Sequence, residues 1–272
     1  MRNFWLWLIV VAAGLWLWQA ESRAALAQRV LLRGLQVQLA PWGRLEYGAT
    51  RAHFWGSGAI ESLRFSLSPA ASDTWGLPRG LVLMIPQLRY TEWQGHQRWP
   101  QKASLRLEHA SIALPPPWPD HFAARIDWDY RVETGQVSLN WLLDAPASGQ
   151  LEGKLALQLD SPRTWSKAAL TGGEWRYRDA GLAQTWRSER LLRSSASPQD
   201  TEQILSAELV AGCERYGLPP NAALRAELAR FARDPTAFTL RLDPPGRLRP
   251  EDLPLFAPAD RIAALGLRLD VP

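Results

Sequence analysis

Apolar and polar positions change period several times along the chain. Residues 4–18 (FWLWLIVVAAGLWLW) contain no charge at all, and only Met1, Arg2 and Asn3 precede them. With Gln19 and Ala20 included, the stretch approaches the roughly 17-residue minimum for a bilayer-spanning helix. Residues 21–35 then place Ala24, Leu26, Val30 and Leu31 near helical spacing between Arg23, Gln28 and Arg29, which predicts a helix continuing the apolar segment. After Gly34 the period shortens, and Gln36 to Ala40 alternates as a strand does.

Period-two alternation dominates the middle of the chain. Ile126, Trp128, Tyr130 and Val132 alternate with charged residues, Thr134 and Gly135 turn the chain, and Val137, Leu139, Trp141 and Leu143 resume the pattern. This predicts an antiparallel hairpin with one apolar and one wet face, extended by Leu151, Leu155, Leu157 and Leu159 into a meander over about 124–160. Upstream, 60–68, 81–90 and 103–113 read as strands, separated by turn-type residues at 69–76 and 94–100. Pro115, Pro116, Pro117, Trp118 and Pro119 cannot feed a sheet ladder, so they read as a connector or an edge crossing. Gly172 to Leu182 (GGEWRYRDAGL) reads as a strand with Trp175 and Tyr177 on one face and a turn at Asp179, Ala180 and Gly181.

Helical spacing returns after residue 190. Capping-type residues at 197–202 open a helix with Ile204, Leu205, Leu209 and Val210 on its apolar face, which residues 212–217 end. A second helix at 221–232 presents Leu224, Leu228 and Phe231. A strand at 238–242, a short helix at 259–265 and a last strand at 266–271 follow. Strands joined by short turns without intervening helical periods exclude a doubly wound or barrel α/β fold. The expected class is α+β, mainly antiparallel β: a curved sheet or β-groove with C-terminal helices behind one N-terminal transmembrane helix. Its parts are a membrane anchor at 1–20, a juxtamembrane helix at 21–35, a tryptophan-rich β body at 36–190 and an α+β cap at 191–272.

Composition sharpens the N-terminal reading. The chain of 272 residues holds 15 tryptophans, and four of them, Trp5, Trp7, Trp16 and Trp18, bracket the apolar segment in pairs where indoles favour the headgroup region. Arg2 and the free amine favour the cytoplasmic side, which would place the bulk of the chain in the periplasm; Arg23, Arg29 and Arg33 weaken that charge asymmetry. A cleaved signal peptide is the competing reading, because Ala25, Leu26 and Ala27 form a cleavage-like triplet, although Glu21 and Arg23 lie in the intervening stretch.

The net charge of +4 does not point to nucleic acid. Only three of the 31 basic residues are lysines (Lys102, Lys154, Lys167), and the arginines lie scattered among acids, as at Arg125, Asp127, Asp129 and Arg131. A single cysteine, Cys213, excludes an intramolecular disulfide and multi-cysteine metal sites. The four histidines have no ligand spacing, no Gly-x-Ser-x-Gly elbow occurs, and neither a Walker loop nor a dinucleotide fingerprint is present. Asp127 and Asp129 share a strand face as a glycosidase pair would, but Arg125 and Arg131 stand on the same face, as on a solvated surface. No catalytic residue, metal site or cofactor is therefore expected.

The single N-terminal span, the Leu- and Trp-rich alternating strands at 126–159, the Tyr177-Arg178-Asp179-Ala180-Gly181-Leu182 strand-turn and the 226–235 stretch (AELARFARDP) together resemble the AsmA-like group of Gram-negative envelope proteins. The inner-membrane accessory protein of type II secretion is similar in size and layout. The resemblance implies an inner-membrane, single-pass protein with a periplasmic β-groove, associated with lipid or outer-membrane homeostasis. On this reading the protein is non-enzymatic and handles a lipid or another hydrophobic ligand on Ile126, Trp128, Tyr130, Leu139 and Trp141. The alternative is an adaptor or scaffold of an envelope or secretion assembly, with Trp175, Tyr177 and Asp179 as partner contact; a cell-wall hydrolase ranks below both.

Overall fold

The computed structural model describes residues 2–53, 55–75, 79–94, 101–113, 121–159, 168–185, 188 and 198–272. The side chains of 2–18, 74–75, 92–94, 198–199 and 250 fall outside that description, as does the proline-rich stretch 115–119. The chain is α+β with antiparallel strand pairing throughout the described ladders, and it divides into two compact units, Met1–Leu114 and Pro115–Pro272.

The first unit opens with α1 (Arg2–Leu39), one continuous helix that carries both the apolar N-terminal run and the segment after it. Trp5, Trp7, Trp16 and Trp18 lie on this helix, with side chains outside the described residues. Among the described residues, no helix is long and apolar enough to cross a membrane. The strand expected at Gln36 to Ala40 is corrected: α1 continues through Gly34 to Leu39. Extending an existing helix adds a hydrogen bond per residue fixed, whereas a five-residue alternation has to find a new partner strand. Gln36 is satisfied in the helix, its Nε2 donating to the Leu45 carbonyl at 2.9 Å. Leu32 is 1% exposed, and Gln28, also buried, donates from Nε2 to the Arg51 and Ala59 carbonyls.

Strands β1 (Gly43–Glu46) and β2 (Thr50–His53) both pair with β3 (Ser57–Leu67), followed in order by β4 (Val82–Gln94) and β5 (Lys102–Ile112). The turn expected over 69–76 is corrected to a helix, α2 (Pro69–Trp75). Ser68 Oγ accepts from the Ala71 amide, and Pro69 follows it, a capping serine with proline at the first helical position. Ala71 of α2 joins Leu67 and Leu81 in a buried cluster with Phe65 and Ile112 against it.

The second unit is a meander in the order β6 (His121–Arg131), β7 (Gln136–Ala145), β8 (Gly149–Gln158), β9 (Ala169–Asp179), β10 (Ala237–Leu242) and β11 (Leu267–Asp270). The β6–β7 turn needs Gly135, at φ 69°. Helices α3 (Pro198–Arg215) and α4 (Ala222–Arg233) lie between β9 and β10 in the chain, so the C-terminal strands extend the same ladder beyond β9. Asn221 caps α4, its side chain accepting from the Leu224 amide at 2.9 Å. Leu224 and Leu228 form a core with Ile262 of the short helix α5 (Arg261–Leu265), against which Leu267 and Leu269 of β11 pack.

Candidate functional site

The register of β6 to β11 lines up the apolar positions in rows that cross the sheet. Ile126, Trp141, Gly153, Trp175, Leu240 and Leu269 are successive partners, and Trp128, Leu139, Leu155, Gly173, Leu242 and Leu267 form the adjacent row. Because side chains alternate across a strand, both rows lie on one face. The opposite face is charged, with Arg125 paired to Asp127 and with Glu174 held between Arg176 (2.7 Å) and Arg241 (3.0 Å). Hydrogen bonding from Arg241, aided by the Arg176 and Lys154 charges, holds the Glu174 carboxyl below the usual carboxylate range.

Two glycines shape the apolar face. A side chain at Gly153 would collide with the Trp141 indole, and one at Gly173 would collide with the Trp175 ring and press on Leu155. Each indole thus lies over a backbone position without a Cβ, which lets two large rings share one row. Trp141 and Trp175 meet with centroids 5.7 Å apart and planes tilted by 58°, within the range favoured by aromatic pairs.

This face is packed unevenly. Over β9 to β11 it is covered: Phe231 of α4 meets Phe238 edge-on at 5.3 Å and Tyr177 at 6.4 Å. At its other end Tyr130 is buried with Val137, Leu159 and Ala168, and Trp128 and Leu157 pack against that cluster. Between these ends Ile126, Leu139 and Trp141 are half-buried, as are Trp128 and Leu155. Of the five expected groove residues, four therefore share a half-buried patch, while Tyr130 belongs to a closed core. The sequence reading placed Leu155 among the alternating apolar positions of the meander but did not single out Leu240 or the two glycines as parts of this surface, because their membership depends on the register of β7 to β10.

Trp175, Tyr177 and Asp179, expected as one partner contact, do different things. Trp175 belongs to the apolar row. Tyr177 donates its hydroxyl to Asp179 at 2.5 Å, and burial and this bond push the phenol well above its ordinary range. Asp179 also accepts from the Gly181 and Ala183 amides at 3.0 Å, starting the helical turn at 182–185.

Cys213 packs against the α4 core, and burial pushes its thiol up, away from thiolate reactivity. A groove of about 450 Å³ lies between α3 and α4, lined by Glu202, Ser206, Val210, Glu214, Arg225 and Ala229, with Arg225 paired to Glu214 at 3.2 Å. Among the described residues no cluster of three histidine, cysteine or acidic side chains is arranged to hold a metal. No protein-family model matches the chain, and no curated protein is significantly similar to it.

Proposed function

We propose that this is an inner-membrane-anchored, single-pass protein that handles a lipid or another hydrophobic ligand in the periplasm, without catalytic chemistry of its own. The supporting observation is the continuous apolar face of β6 to β10, half-buried at Ile126, Trp128, Leu139 and Trp141 and covered by α4 only towards β11. An acyl chain laid along these rows removes further apolar surface from water, at about 25 cal/mol per Å². The face carries no charged side chain in either row, which suits a hydrocarbon better than a sugar or a peptide backbone. The curved, groove-like form of this sheet is part of the proposal, as is the membrane anchor within the apolar residues 4–18.

The test is native mass spectrometry of the full chain purified from envelope membranes, with lipid extraction of the same sample. Stoichiometric acyl chains that are lost on replacing Leu139 by Asp support the proposal. A chain free of lipid in both forms overturns it, and a stoichiometric protein in place of lipid favours the adaptor reading.

A further inference from the structure

The solvent face of α1 is built unlike the exposed face of an ordinary helix. Leu26 and Val30 are each 63% exposed and Val37 is 75% exposed. At about 100° per residue, Val30 and Val37 lie within about 40° of Leu26 around the helix axis, so the three form one stripe. Arg33 lies about 20° from Leu26, and Arg23 and Arg29 flank it by about 60° on either side. All three arginines are exposed, and none has an acidic partner among the described residues. The side of the helix with Gln28 and Leu32, about 160° and 120° from Leu26, faces β2 and β3, and Gln36, about 80° from Leu26, reaches β1.

A second feature lies at the rim of the stripe. Gly34 sits in the helix interior with nothing within 4 Å of where a Cβ would be, so the fold itself has no use for the missing side chain. Glycine destabilises a helix relative to alanine. Ala27, one heptad earlier, is exposed on the same rim. Two small residues beside an apolar stripe leave room for a solid ridge to approach the α1 backbone.

We propose that this face of α1 docks an α-helix of another protein, one whose apolar seam is flanked by carboxylates. Charge selects the occupant. The only acid on α1 from residue 19 onward is Glu21, which lies on the opposite side and meets His53 Nδ1 at 3.4 Å. A second copy of the chain would therefore bring six guanidinium groups into one seam, and like charges that close oppose association. A lipid surface would satisfy the arginines but has no use for the notch at Gly34. The inference is independent of the ligand proposed for the sheet face, and either can fail alone.

The test places a photo-crosslinking benzoylphenylalanine at Val30 or Val37 of the full chain in its native membranes, with Glu21, about 140° from Leu26 and on the far side from the Gly34 notch, as the off-seam control. The expected result is one adduct with a different protein from Val30 and Val37 and none from Glu21. Sequencing of the crosslinked peptide should read an amphipathic helix with Asp or Glu beside its apolar positions. Arg29→Glu with Arg33→Glu should lower the yield about tenfold, the milder Arg29→Gln with Arg33→Gln less so, and acid-to-Lys replacement in the partner peptide should restore it. An adduct with a second copy, an adduct with lipid alone, an adduct insensitive to the arginine changes, or no adduct overturns the proposal.

Discussion

Trp141 and Trp175 stand two strands apart and their indoles meet, that of Trp141 lying over Gly153, which pairs with both of them. The contact exists because Gly153 has no side chain. Gly153→Ala should force one ring off its rotamer and destabilise the second unit by about 1–3 kcal/mol, the ordinary cost of overpacking. Urea unfolding followed by tryptophan fluorescence checks this. An unchanged midpoint would mean that the rings move aside freely and that the face is not a fixed surface.

Tyr90 and Tyr177 make stability sensitive to alkali. Burial pushes Tyr90 up to about 12, and burial together with the Asp179 contact raises Tyr177 further, against an ordinary value of 10.0. Both hydroxyls stay protonated in the fold at a pH where the unfolded chain has already ionised. Their contribution is therefore complete below pH about 10 and is lost as the pH rises through the folded values. Tyr177→Phe should flatten the alkaline limb of the stability profile. It should also cost about 0.5–1.5 kcal/mol near neutrality through the lost bond to Asp179. Thermal unfolding from pH 7 to 12 measures both effects.

The parts of the fold that could be read from the sequence are those where one period holds for a whole element. Alternation from Ile126 to Leu143 gives β6 and β7, and Asn221 followed by Leu224 and Leu228 gives α4. In the first unit the strands at 60–68, 81–90 and 103–113 were equally legible as β3, β4 and β5, but which side chains they bury was not, because the pattern breaks at one transverse line. By register, Gly48, Ser62, Pro86 and His109 face one another across four chain segments. Among the described residues, Ser62 and His109 are the non-glycine residues with positive φ, at 52° and 53°. Pro86 has no amide to donate, and at this line the alternation changes phase. Leu63, Ile85 and Ala110 are covered on one side, and Ile60, Leu88 and Leu107 on the other. No single period describes such a strand. The extent of the sheet's apolar face was equally hidden, since it depends on β10 returning beside β9 after two helices.

That line yields its own prediction. Left-handed backbone costs a side-chain-bearing residue about 1–2 kcal/mol, and glycine escapes most of it. Ser62→Gly should thus be neutral or stabilising by up to about 1 kcal/mol, and Ser62→Val should be destabilising. The difference between the two urea midpoints is the measurement. A Ser62→Gly variant clearly less stable than Ser62→Val would show that the serine side chain, not its backbone, matters there.

Glu174 contributes to the acid limb of the profile. Its carboxyl is held low by the Arg241 hydrogen bond and the Arg176 charge, so its contribution is present above the ordinary value of 4.5 and is lost as the pH falls through the lower folded value. Both guanidinium groups are about half exposed, so the effect should be small and weakened by salt. Glu174→Gln should flatten the decline in stability below pH 4.5, and 1 M salt should bring the two proteins together. A steeper acid limb in the variant would contradict the assigned sign.

Ligand binding should depend on the middle of the apolar rows rather than on their ends. Leu139 faces Trp128 on one side and Leu155 on the other, and all three are half-buried, whereas Tyr130 and Val137, two pairs further along the hairpin and on the same face, are buried in a core of their own. Leu139→Asp places a charge where a hydrocarbon chain would lie, and a loss of about 1.5–3 kcal/mol of apolar contact corresponds to a tenfold or greater loss of affinity. Val137→Ala instead opens a cavity inside a closed core, which should lower stability by about 1–3 kcal/mol while leaving affinity for a fluorescent fatty acid nearly unchanged. Titration of that probe into both variants separates the effects. Equal losses of affinity would place the ligand elsewhere, because a ligand resting on the Leu139 row does not touch Val137.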